Sequence, residues 1–244
     1  MHYTKLFLYF ILIFTLILSL CCNFTERNIT EMLENKKKID YYVISLKVSE
    51  DRLKNIKQQQ QKLNKKINIF EAVNGDNIDI NNVSNQIVAD SFKEQSKHRK
   101  REIGCFLSHY YILKLIKSNN VPDGYTVIFE DDFDIIKDNL HEHLENALEY
   151  MSQYEFDMLY IHTLSNNMGE NLVKDVCHID FNKDFYGTQA YLVKNSSIDK
   201  LLESTWIIDA PIDHKYTNAI KANKIKAYTF CPHLTKSIDT ETTL

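Results

Sequence analysis

The sequence predicts an α/β fold in which a largely parallel central sheet is covered by helices on both faces. Short apolar runs rich in β-branched and aromatic residues alternate along the chain with segments of helical periodicity. Such alternation is typical of parallel strands joined by helices. In addition, the acids Glu130, Asp131 and Asp132 directly follow the apolar run at residues 125–129. They should therefore lie at the carboxyl end of a buried strand, where open α/β sheets bind their ligands.

The composition indicates one globular domain and argues against one large class of function. The chain has 244 residues, of which 44% are apolar and 25% are charged, so it can bury one substantial core. Its net charge of -4 argues against nucleic acid as a partner, because nucleic-acid-binding proteins usually present a basic surface. The dense basic stretch at residues 97–101 is interpreted as a solvated or substrate-facing loop.

The chain is predicted to begin its fold with a strand, a helix and a second strand. Residues 41–46 form a run typical of a buried strand. Residues 50–63 have helical periodicity, with Ser49 as the expected N-cap. Residues 67–73 should form the second strand, and the turn at residues 74–76 contains a glycine that permits a left-handed backbone.

The alternation of helices and strands continues through the rest of the chain. Apolar side chains recur at helical spacing in residues 102–117, which predicts a helix with a buried face directly before the acidic strand. The later segments are predicted as helix, strand, strand, helix, helix and strand at residues 140–151, 157–162, 188–193, 196–202, 212–222 and 225–230. The strand at residues 188–193 is expected in the interior of the sheet.

The acidic triplet is the best indication of function in the sequence. Carboxylates that converge at a strand end repel one another unless a hard divalent cation lies between them and a phosphate-bearing ligand. If the extended backbone continues, Glu130 and Asp132 point to the same side. The triplet alone leaves two alternatives open, a solvated turn and the N-terminal cap of the next helix.

The cysteines define no metal site or disulfide framework by their spacing. Three of them lie in the body of the chain, at Cys105, Cys177 and Cys231. This odd number lacks the short spacings of zinc-binding motifs. At most one disulfide can form among the three.

The amino end is predicted to be a targeting segment. Residues 6–24 contain no charged side chain, so residues 1–25 are interpreted as a signal anchor or signal peptide, followed by a polar stem at 26–40 and a domain at 41–244. We expect a single-pass membrane protein whose domain faces the ER or Golgi lumen in a eukaryote or virus, or a secreted protein after cleavage. Glycan acceptor patterns, which matter only in that compartment, begin at Asn23, Asn28, Asn82 and Asn195.

Several segments together resemble glycosyltransferase family 25, which includes bacterial lipooligosaccharide galactosyltransferases and procollagen galactosyltransferases. They occur in the family's order and cover almost everything from residue 41 onward. The matching segments are residues 42–46 with 51–52, 70–75, 102–109, 127–132, 187–192 and 211–213. The octet EIGCFLSH at residues 102–109 and the acidic strand end are the most specific of them.

The resemblance implies a GT-A-like nucleotide-binding fold and sugar transfer with inversion at the anomeric carbon. The donor would be a nucleotide sugar, usually UDP-galactose or UDP-glucose, and the acceptor a hydroxyl on a protein, such as collagen-like hydroxylysine, or on a glycan or lipooligosaccharide. Mn²⁺ or Mg²⁺ held by strand-end carboxylates would neutralise the departing diphosphate. On this basis Glu130 and Asp132 are assigned to the metal, and Asp131 to a supporting role at the nucleotide.

An inverting transfer also needs a base that takes the proton of the acceptor hydroxyl. Asp213 matches the acid of the family's late motif and is the candidate, with Asp209 as the nearby rival. The alternative for Asp213 is that it caps the helix beginning there.

Four further side chains are candidates for donor binding. Arg52 would clamp the phosphates or the ribose, although a surface salt bridge is an equally ordinary use of it. Ser108 and His109 would lie on the helix beside the site, where His109 would bond the donor or metal-bound water; the alternative is a core histidine satisfied by the backbone. Thr188 would present its hydroxyl to the sugar.

Two other classes of function remain open at this point. The first is a catalytically inactive, membrane-tethered module of the same fold that binds glycans or proteins, although retention of the three acids and Asp213 counts against it. The second is a metal-dependent phosphoesterase, which is weakened by the lack of a His-rich or two-metal acidic pattern elsewhere.

Overall fold

The computed structural model describes residues 37–46, 49–80, 87–94, 96–119, 121–164, 168–182 and 185–238. Their strands are β1 (Ile39–Ser45), β2 (Asn68–Glu71), β3 (Ile87–Val88), β4 (Tyr125–Glu130), β5 (Phe133–Ile135), β6 (Met158–His162), β7 (Met168–Val173), β8 (Val176–Ile179), β9 (Ala190–Lys194), β10 (Ile207–Ile208), β11 (Ala227–Phe230) and β12 (Thr235–Ser237). Their α-helices are α1 (Glu50–Leu63), α2 (Lys97–Ser118), α3 (Leu140–Tyr150), α4 (Ile198–Ser204) and α5 (Ile212–Lys221).

The central sheet has eight strands in the order β2-β1-β4-β9-β6-β11-β8-β7. β1 pairs in parallel with β2 and β4, and β6 pairs in parallel with β11. β9 runs antiparallel between β4 and β6, and β8 and β7 extend one edge with antiparallel pairs. The predicted α/β, GT-A-like fold with helices on the sheet is confirmed. Its pairing is mixed rather than largely parallel, because β9 enters the centre in the reverse direction.

Side-chain alternation along the strands divides the apolar residues between two cores. In β4, Ile128 faces a core that contains α2, α4 and α5, whereas Val127 and Phe129 face a core that contains α1 and α3. All three side chains are fully buried. Because side chains alternate between the faces of a strand, Glu130 lies on the same face as Ile128 and is directed toward α2.

The first two helices, α1 and α2, begin at serine caps. α1 has the predicted bounds, and the Ser49 side chain accepts a hydrogen bond from the backbone N–H of Arg52. α2 begins at Lys97 rather than at residue 102, because Ser96 caps it by accepting from the N–H of Arg99 at 3.2 Å. Residues 97–101 are therefore helix and not a loop. Basic side chains in a first turn oppose the helix dipole, so they obscured this start in the sequence.

The acidic turn after β4 is held by the last strand of the described chain. β4 ends at Glu130, and Asp131 and Asp132 form a turn into β5. The extended backbone that would have placed Glu130 and Asp132 on one side therefore does not continue. β12 pairs antiparallel with β5, with Ser237 opposite Phe133, and the N–H of Ile238 donates to the Asp132 carbonyl at 2.8 Å.

A disulfide joins the antiparallel edge to the end of β11. Cys177 of β8 is bonded to Cys231, with their Cα atoms 5.9 Å apart. One pair thus forms among the three body cysteines, which is the predicted maximum, and Cys105 is a free thiol. The β7–β8 hairpin itself was not predicted, because β7 has no continuous apolar run and is largely solvent-accessible.

No helix within the described ranges is long and apolar enough to cross a membrane. The expected single-pass placement, with a lumenal domain, is therefore wrong for this part of the chain. The apolar run at residues 6–24 and residues 26–36 of the stem lie outside the described residues.

The glycan acceptor patterns fall into two groups. Asn23, Asn28 and Asn82 lie outside the described residues. The Asn195 amide donates to the carbonyl of Val121 and accepts from the Thr126 hydroxyl, both at 2.9 Å. In the folded chain the side-chain amide of Asn195 is therefore engaged in hydrogen bonds within the protein, through both its nitrogen and its oxygen.

Candidate active site

A cleft of about 400 Å³ opens where β4 ends. Its walls come from the first turn of α1, from α2, from the acidic turn, from the segment before β9 and from the start of α5. The lining residues are Arg52, His98, Glu102, Cys105, Glu130, Asp131, Asp132, Leu164, Gly187, Thr188, Gln189, Pro211, Ile212, Asp213, His214 and Ser237. The cleft is thus lined by six of the nine residues considered from the sequence, namely Arg52, Glu130, Asp131, Asp132, Thr188 and Asp213.

Glu130 is held by hydrogen bonds from two directions. The Thr188 hydroxyl donates to Glu130 Oε1 at 2.6 Å, and Nε2 of His109 lies 3.3 Å from the same oxygen. His109 is 1% exposed, and its Nδ1 lies 2.7 Å from the hydroxyl of Tyr191 on β9. His109 therefore stands behind the cleft wall and connects Glu130 to the buried core; its partners are side chains rather than backbone.

Asp131 is tied to the first βα unit. The Ser45 hydroxyl at the end of β1 donates to Asp131 Oδ2 at 2.7 Å, and Nε of Arg52 lies 3.7 Å from Asp131 Oδ1. The Asn55 amide donates to the carbonyls of Asp131 and Phe133 at 3.1 and 2.9 Å. These contacts anchor the acidic turn to α1 and engage both carboxylate oxygens of Asp131 with groups of the chain itself.

Asp132 differs from its neighbours because one of its oxygens is buried and has no hydrogen-bond partner among the described residues. The Ser237 hydroxyl donates to Oδ2, whereas Oδ1 is buried and unpaired. A buried carboxylate oxygen without a partner is costly, so such an atom beside a cleft indicates a position for a cation or another donor. Carboxylate oxygens are also the ligands that Mg²⁺ and Mn²⁺ prefer. The acidic turn therefore fits a divalent cation.

The pKa values of the two outer acids shift in opposite directions. Burial by itself would raise the pKa of Glu130, but the hydrogen bond and charge of His109, with the bond from Thr188, outweigh it and lower the pKa. For Asp132, burial raises the pKa, the Ser237 hydrogen bond opposes this rise, and the charge of Glu130 adds to it. Asp132 is therefore the carboxylate whose ionised form is less well stabilised by the protein alone.

Asp213 is linked to the opposite wall of the cleft by a hydrogen bond from the backbone of the segment before β9. It lies in the first turn of α5, where Pro211 occupies the N-cap position and makes no side-chain cap. The N–H of Gly187 donates to Asp213 Oδ2 at 3.1 Å, and the N–H of His214 donates to Oδ1 at 2.9 Å. Gly187 has a φ of +104°, which an L side chain rarely adopts, and it leads directly to Thr188.

Two of the residues considered from the sequence lie away from the cleft. Ser108 is buried in α2, where its hydroxyl donates to the Gly104 carbonyl at 2.7 Å and accepts from the N–H of Val73 at 2.8 Å. Asp209, the rival of Asp213, accepts from Lys215 at 2.8 Å and is exposed. Neither side chain lines the cleft.

The cleft also contains residues that sequence reasoning missed. Cys105 lies one helical turn before His109 on α2, and the ligand atoms of Cys105, His109 and Glu130 all lie within 4.8 Å of one another. Burial raises the pKa of the Cys105 thiol, and the charges of Glu130, Asp213 and Glu102 raise it further. The i, i+4 spacing of Cys105 and His109 was a signal that the sequence offered.

The fold and the cleft define a GT-A-like α/β protein with a carboxylate cluster at the end of a central strand. The chain belongs to glycosyltransferase family 25 (LPS biosynthesis protein), whose family model matches residues 38–216. This range contains the whole carboxylate cluster and Asp213.

Curated relatives come from an animal and from a bacterium. Procollagen galactosyltransferase 1-A of Xenopus laevis is 27% identical over 197 residues, which cover 76% of this chain and 32% of the relative. Procollagen galactosyltransferase 1-B of the same organism is 26% identical over 174 residues, which cover 68% of this chain and 28% of the relative. A Haemophilus influenzae protein named as a glycosyltransferase is 35% identical over 111 residues, which cover 46% of this chain and 37% of the relative. The chain thus spans about a third of the length of these relatives.

Proposed function

We propose that this chain is a metal-dependent inverting hexosyltransferase that moves galactose or glucose from a UDP-sugar to an acceptor hydroxyl. The single observation that carries the proposal is the buried, unpaired Oδ1 of Asp132 in the cleft that also contains Glu130 and Asp213. Family membership supports sugar transfer, and the two relatives named as procollagen galactosyltransferases support galactose as the sugar and a protein hydroxyl as the acceptor.

Asp132 and Glu130 would hold Mn²⁺ or Mg²⁺ against the diphosphate of the donor. A cation held by these carboxylates would neutralise the charge that develops on the diphosphate as the bond to the sugar breaks. Asp132 supplies a carboxylate oxygen that receives no hydrogen bond from the described residues. Thr188 and His109 fix the position of the Glu130 carboxylate, so the metal position would be set before the donor binds.

Arg52 and Asp131 would orient the nucleotide part of the donor. The Arg52 guanidinium lies at the cleft wall and is held by Asp131, which Ser45 holds in turn. A guanidinium has several donors in one plane, so Arg52 can keep Asp131 and still bind a phosphate or ribose oxygen. The guanidinium of Arg52, oriented by Asp131, would therefore provide positive charge for the diphosphate beside the acidic turn.

Asp213 would act as the base that accepts the proton of the acceptor hydroxyl. Its two oxygens each accept one backbone N–H, which fixes the carboxylate while leaving lone pairs for an acceptor. As the hydroxyl proton moves to Asp213, the acceptor oxygen forms a bond to the anomeric carbon and the diphosphate leaves from the other face. Transfer by one such displacement inverts the anomeric configuration.

The proposal is tested by UDP release from UDP-galactose and UDP-glucose, with and without Mn²⁺, followed by a screen of hydroxylysine peptides and bacterial oligosaccharides. We expect Mn²⁺-dependent release that falls at least about a hundredfold in Asp132→Asn, since lost electrostatic stabilisation of a transition state costs this much. Asp134→Asn is the matched control, because Asp134 lies on β5, pairs with Lys62 and does not line the cleft.

Two outcomes would contradict the proposal. Release that continues in chelator, or that is equal in Asp132→Asn and the wild type, would remove the role of the acidic turn. No release from any donor, in protein whose unfolding is normal, would favour a binding module over an enzyme.

A further inference from the structure

The wall of the cleft contains a set of ligand atoms that differs in chemistry from the carboxylates. Cys105 and His109 are four residues apart on α2 and therefore lie on the same helix face. Glu130 approaches this face from the end of β4. One ligand atom from each of the three residues lies within 4.8 Å of the other two.

The histidine of this set is already oriented as metal-binding histidines are. In most such sites the second ring nitrogen is hydrogen-bonded, which fixes the ring and its tautomer. Here Nδ1 of His109 lies 2.7 Å from the Tyr191 hydroxyl, and Nε2 points to Glu130 Oε1 at 3.3 Å. Thr188 holds the same oxygen of Glu130 at 2.6 Å, so the carboxylate has a fixing partner as well.

We propose that Cys105, His109 and Glu130 form a binding site for a thiophilic divalent cation such as Zn²⁺. Cysteine sulfur, imidazole nitrogen and carboxylate oxygen are the three kinds of protein ligand that Zn²⁺ takes, and three protein ligands leave a fourth position for water or an added ligand. Cys105 and Glu130 line the cleft, so that position faces it. A thiolate ligand favours Zn²⁺ or Co²⁺ over Mn²⁺ and Mg²⁺, which prefer oxygen.

Binding at this site involves no oxidation. The Cys105 S–H bond breaks, its proton passes to the solvent, and the sulfur forms a bond to the cation. His109 would bind the cation through the lone pair of a deprotonated Nε2, and Glu130 through a carboxylate oxygen. The proton that Nε2 now shares with Glu130 Oε1 would pass to the solvent, while an N–H at Nδ1 would donate to the Tyr191 hydroxyl. Zn²⁺ would thus replace the contact between His109 Nε2 and Glu130 Oε1.

The site has a consequence for catalysis that rests on the proposed function. Glu130 belongs both to this set and to the carboxylates assigned to Mn²⁺, so Zn²⁺ bound at Cys105 would withdraw Glu130 from the donor site. We therefore expect Zn²⁺ to inhibit Mn²⁺-dependent UDP release and Cys105→Ala to remove this inhibition.

Binding is tested directly with Co²⁺, whose bond to a thiolate gives a charge-transfer absorption band. We expect the band on titration of the full chain with Co²⁺ and its disappearance when Zn²⁺ is added. Cys105→Ala should abolish the band. The matched control is the double variant Cys21→Ser with Cys22→Ser, which replaces the two remaining cysteines of the sequence and should leave the band unchanged.

Two more variants separate this site from the proposed donor site. Tyr191→Phe should weaken Zn²⁺ binding about tenfold, since loss of an outer hydrogen bond to a metal ligand typically costs 10- to 100-fold. Asp132→Asn should keep the Co²⁺ band while it loses UDP release. The proposed zinc site and the proposed sugar transfer can therefore be tested separately. Absence of the band in the wild type, or an equal band in Cys105→Ala, would overturn the site.

Discussion

Gly104 of α2 lies directly against Gly75 in the turn after β2. A Cβ atom on Gly104 would come within 2.8 Å of both the Gly75 nitrogen and the Val73 carbonyl oxygen, which is closer than real side chains approach. Gly75 does not have a positive φ, so the close approach of α2, rather than a left-handed turn, requires a glycine there. This contact fixes how closely α2 approaches the turn after β2, and hence the positions of Cys105 and His109 on α2.

We expect Gly104→Ala to lower the free energy of unfolding by roughly 1 to 3 kcal/mol, since the added methyl group meets backbone that cannot move aside cheaply. Urea denaturation would measure the change. Because α2 would shift outward, UDP release should fall with stability.

Leu115→Ala on the same helix is the control for this substitution. Leu115 is 39% exposed, so its truncation should change the unfolding free energy by less than about 1 kcal/mol. Equal stability of Gly104→Ala and the wild type would show that the contact between α2 and the turn is not tight.

Asp213→Asn is expected to reduce kcat for sugar transfer by about 10²- to 10⁴-fold, which is the usual contribution of a general base. The amide can still accept the N–H of Gly187 through its oxygen, so the fold and the donor KM should change little. Steady-state kinetics with a saturating acceptor would separate kcat from KM.

Asp209→Asn is the matched control, since Asp209 is exposed, pairs with Lys215 and does not line the cleft. It should keep activity within about twofold of the wild type, in line with the small effects of exposed ion pairs. If Asp209→Asn lost activity and Asp213→Asn kept it, the two assignments would have to be exchanged.

The sequence predicted the elements whose signals are local. α1 has its predicted bounds because the Ser49 cap and the apolar spacing agree, and β4 was found from its run of buried side chains. The reversed direction of β9 was not predictable from such patterns, because strand pairing is decided by segments distant in sequence. The same holds for the pairing of β5 with β12, which brings the Ser237 hydroxyl into hydrogen-bond contact with the Asp132 carboxylate.

The candidate site was predictable to the extent that its residues follow strand ends or helix starts. Glu130, Asp131 and Asp132 were found because they end an apolar run, and the resemblance added Thr188 and Asp213. Ser108 matches the family motif equally well, yet its hydroxyl is used between Gly104 and Val73 inside the fold. A motif marks a segment that matters, but not which of its side chains face the cleft.

Two histidines in edge-to-face contact at the end of β6, His162 and His233, should make the fold sensitive to mild acid. Burial lowers the pKa of His233 to about 4, and the charge of His162 contributes; burial also lowers the pKa of His162, whose ring lies 5.0 Å away. The unfolded chain binds a proton at each near pH 6.5, whereas the folded chain resists it. Stability is therefore fully present above pH 6.5 and is lost as the pH falls toward 4.

We expect the unfolding free energy to fall between pH 6.5 and 4.5, and His233→Asn to reduce the slope by about one proton near pH 5. Urea denaturation at a series of pH values would measure both slopes. His178→Asn is the control variant, because it replaces a histidine whose side chain is exposed on β8. Identical slopes in the wild type and His233→Asn would show that His233 is protonated equally easily in both states.

Asp132→Asn should stabilise the metal-free protein although it abolishes sugar transfer. Because burial raises the pKa of Asp132 in the folded state, its contribution to stability is favourable below the unfolded pKa and is lost as the pH rises through the folded value. At pH 7 the wild type therefore bears the cost of an ionised, half-satisfied carboxylate, and the neutral amide removes it. In chelator, the unfolding free energy of Asp132→Asn should exceed that of the wild type by more at pH 7 than at pH 3.

Mn²⁺ should reverse this order of stability at neutral pH. A ligand that binds only the folded state stabilises it by about 2.7 kcal/mol at a hundred times its Kd, and only the wild type retains the Asp132 carboxylate that would bind it. Thermal unfolding of both proteins with Mn²⁺ and with chelator gives the four values needed. If Mn²⁺ raised the Tm of Asp132→Asn as much as that of the wild type, the cation would bind elsewhere; Asp134→Asn, whose carboxylate lies outside the cleft, should respond as the wild type does.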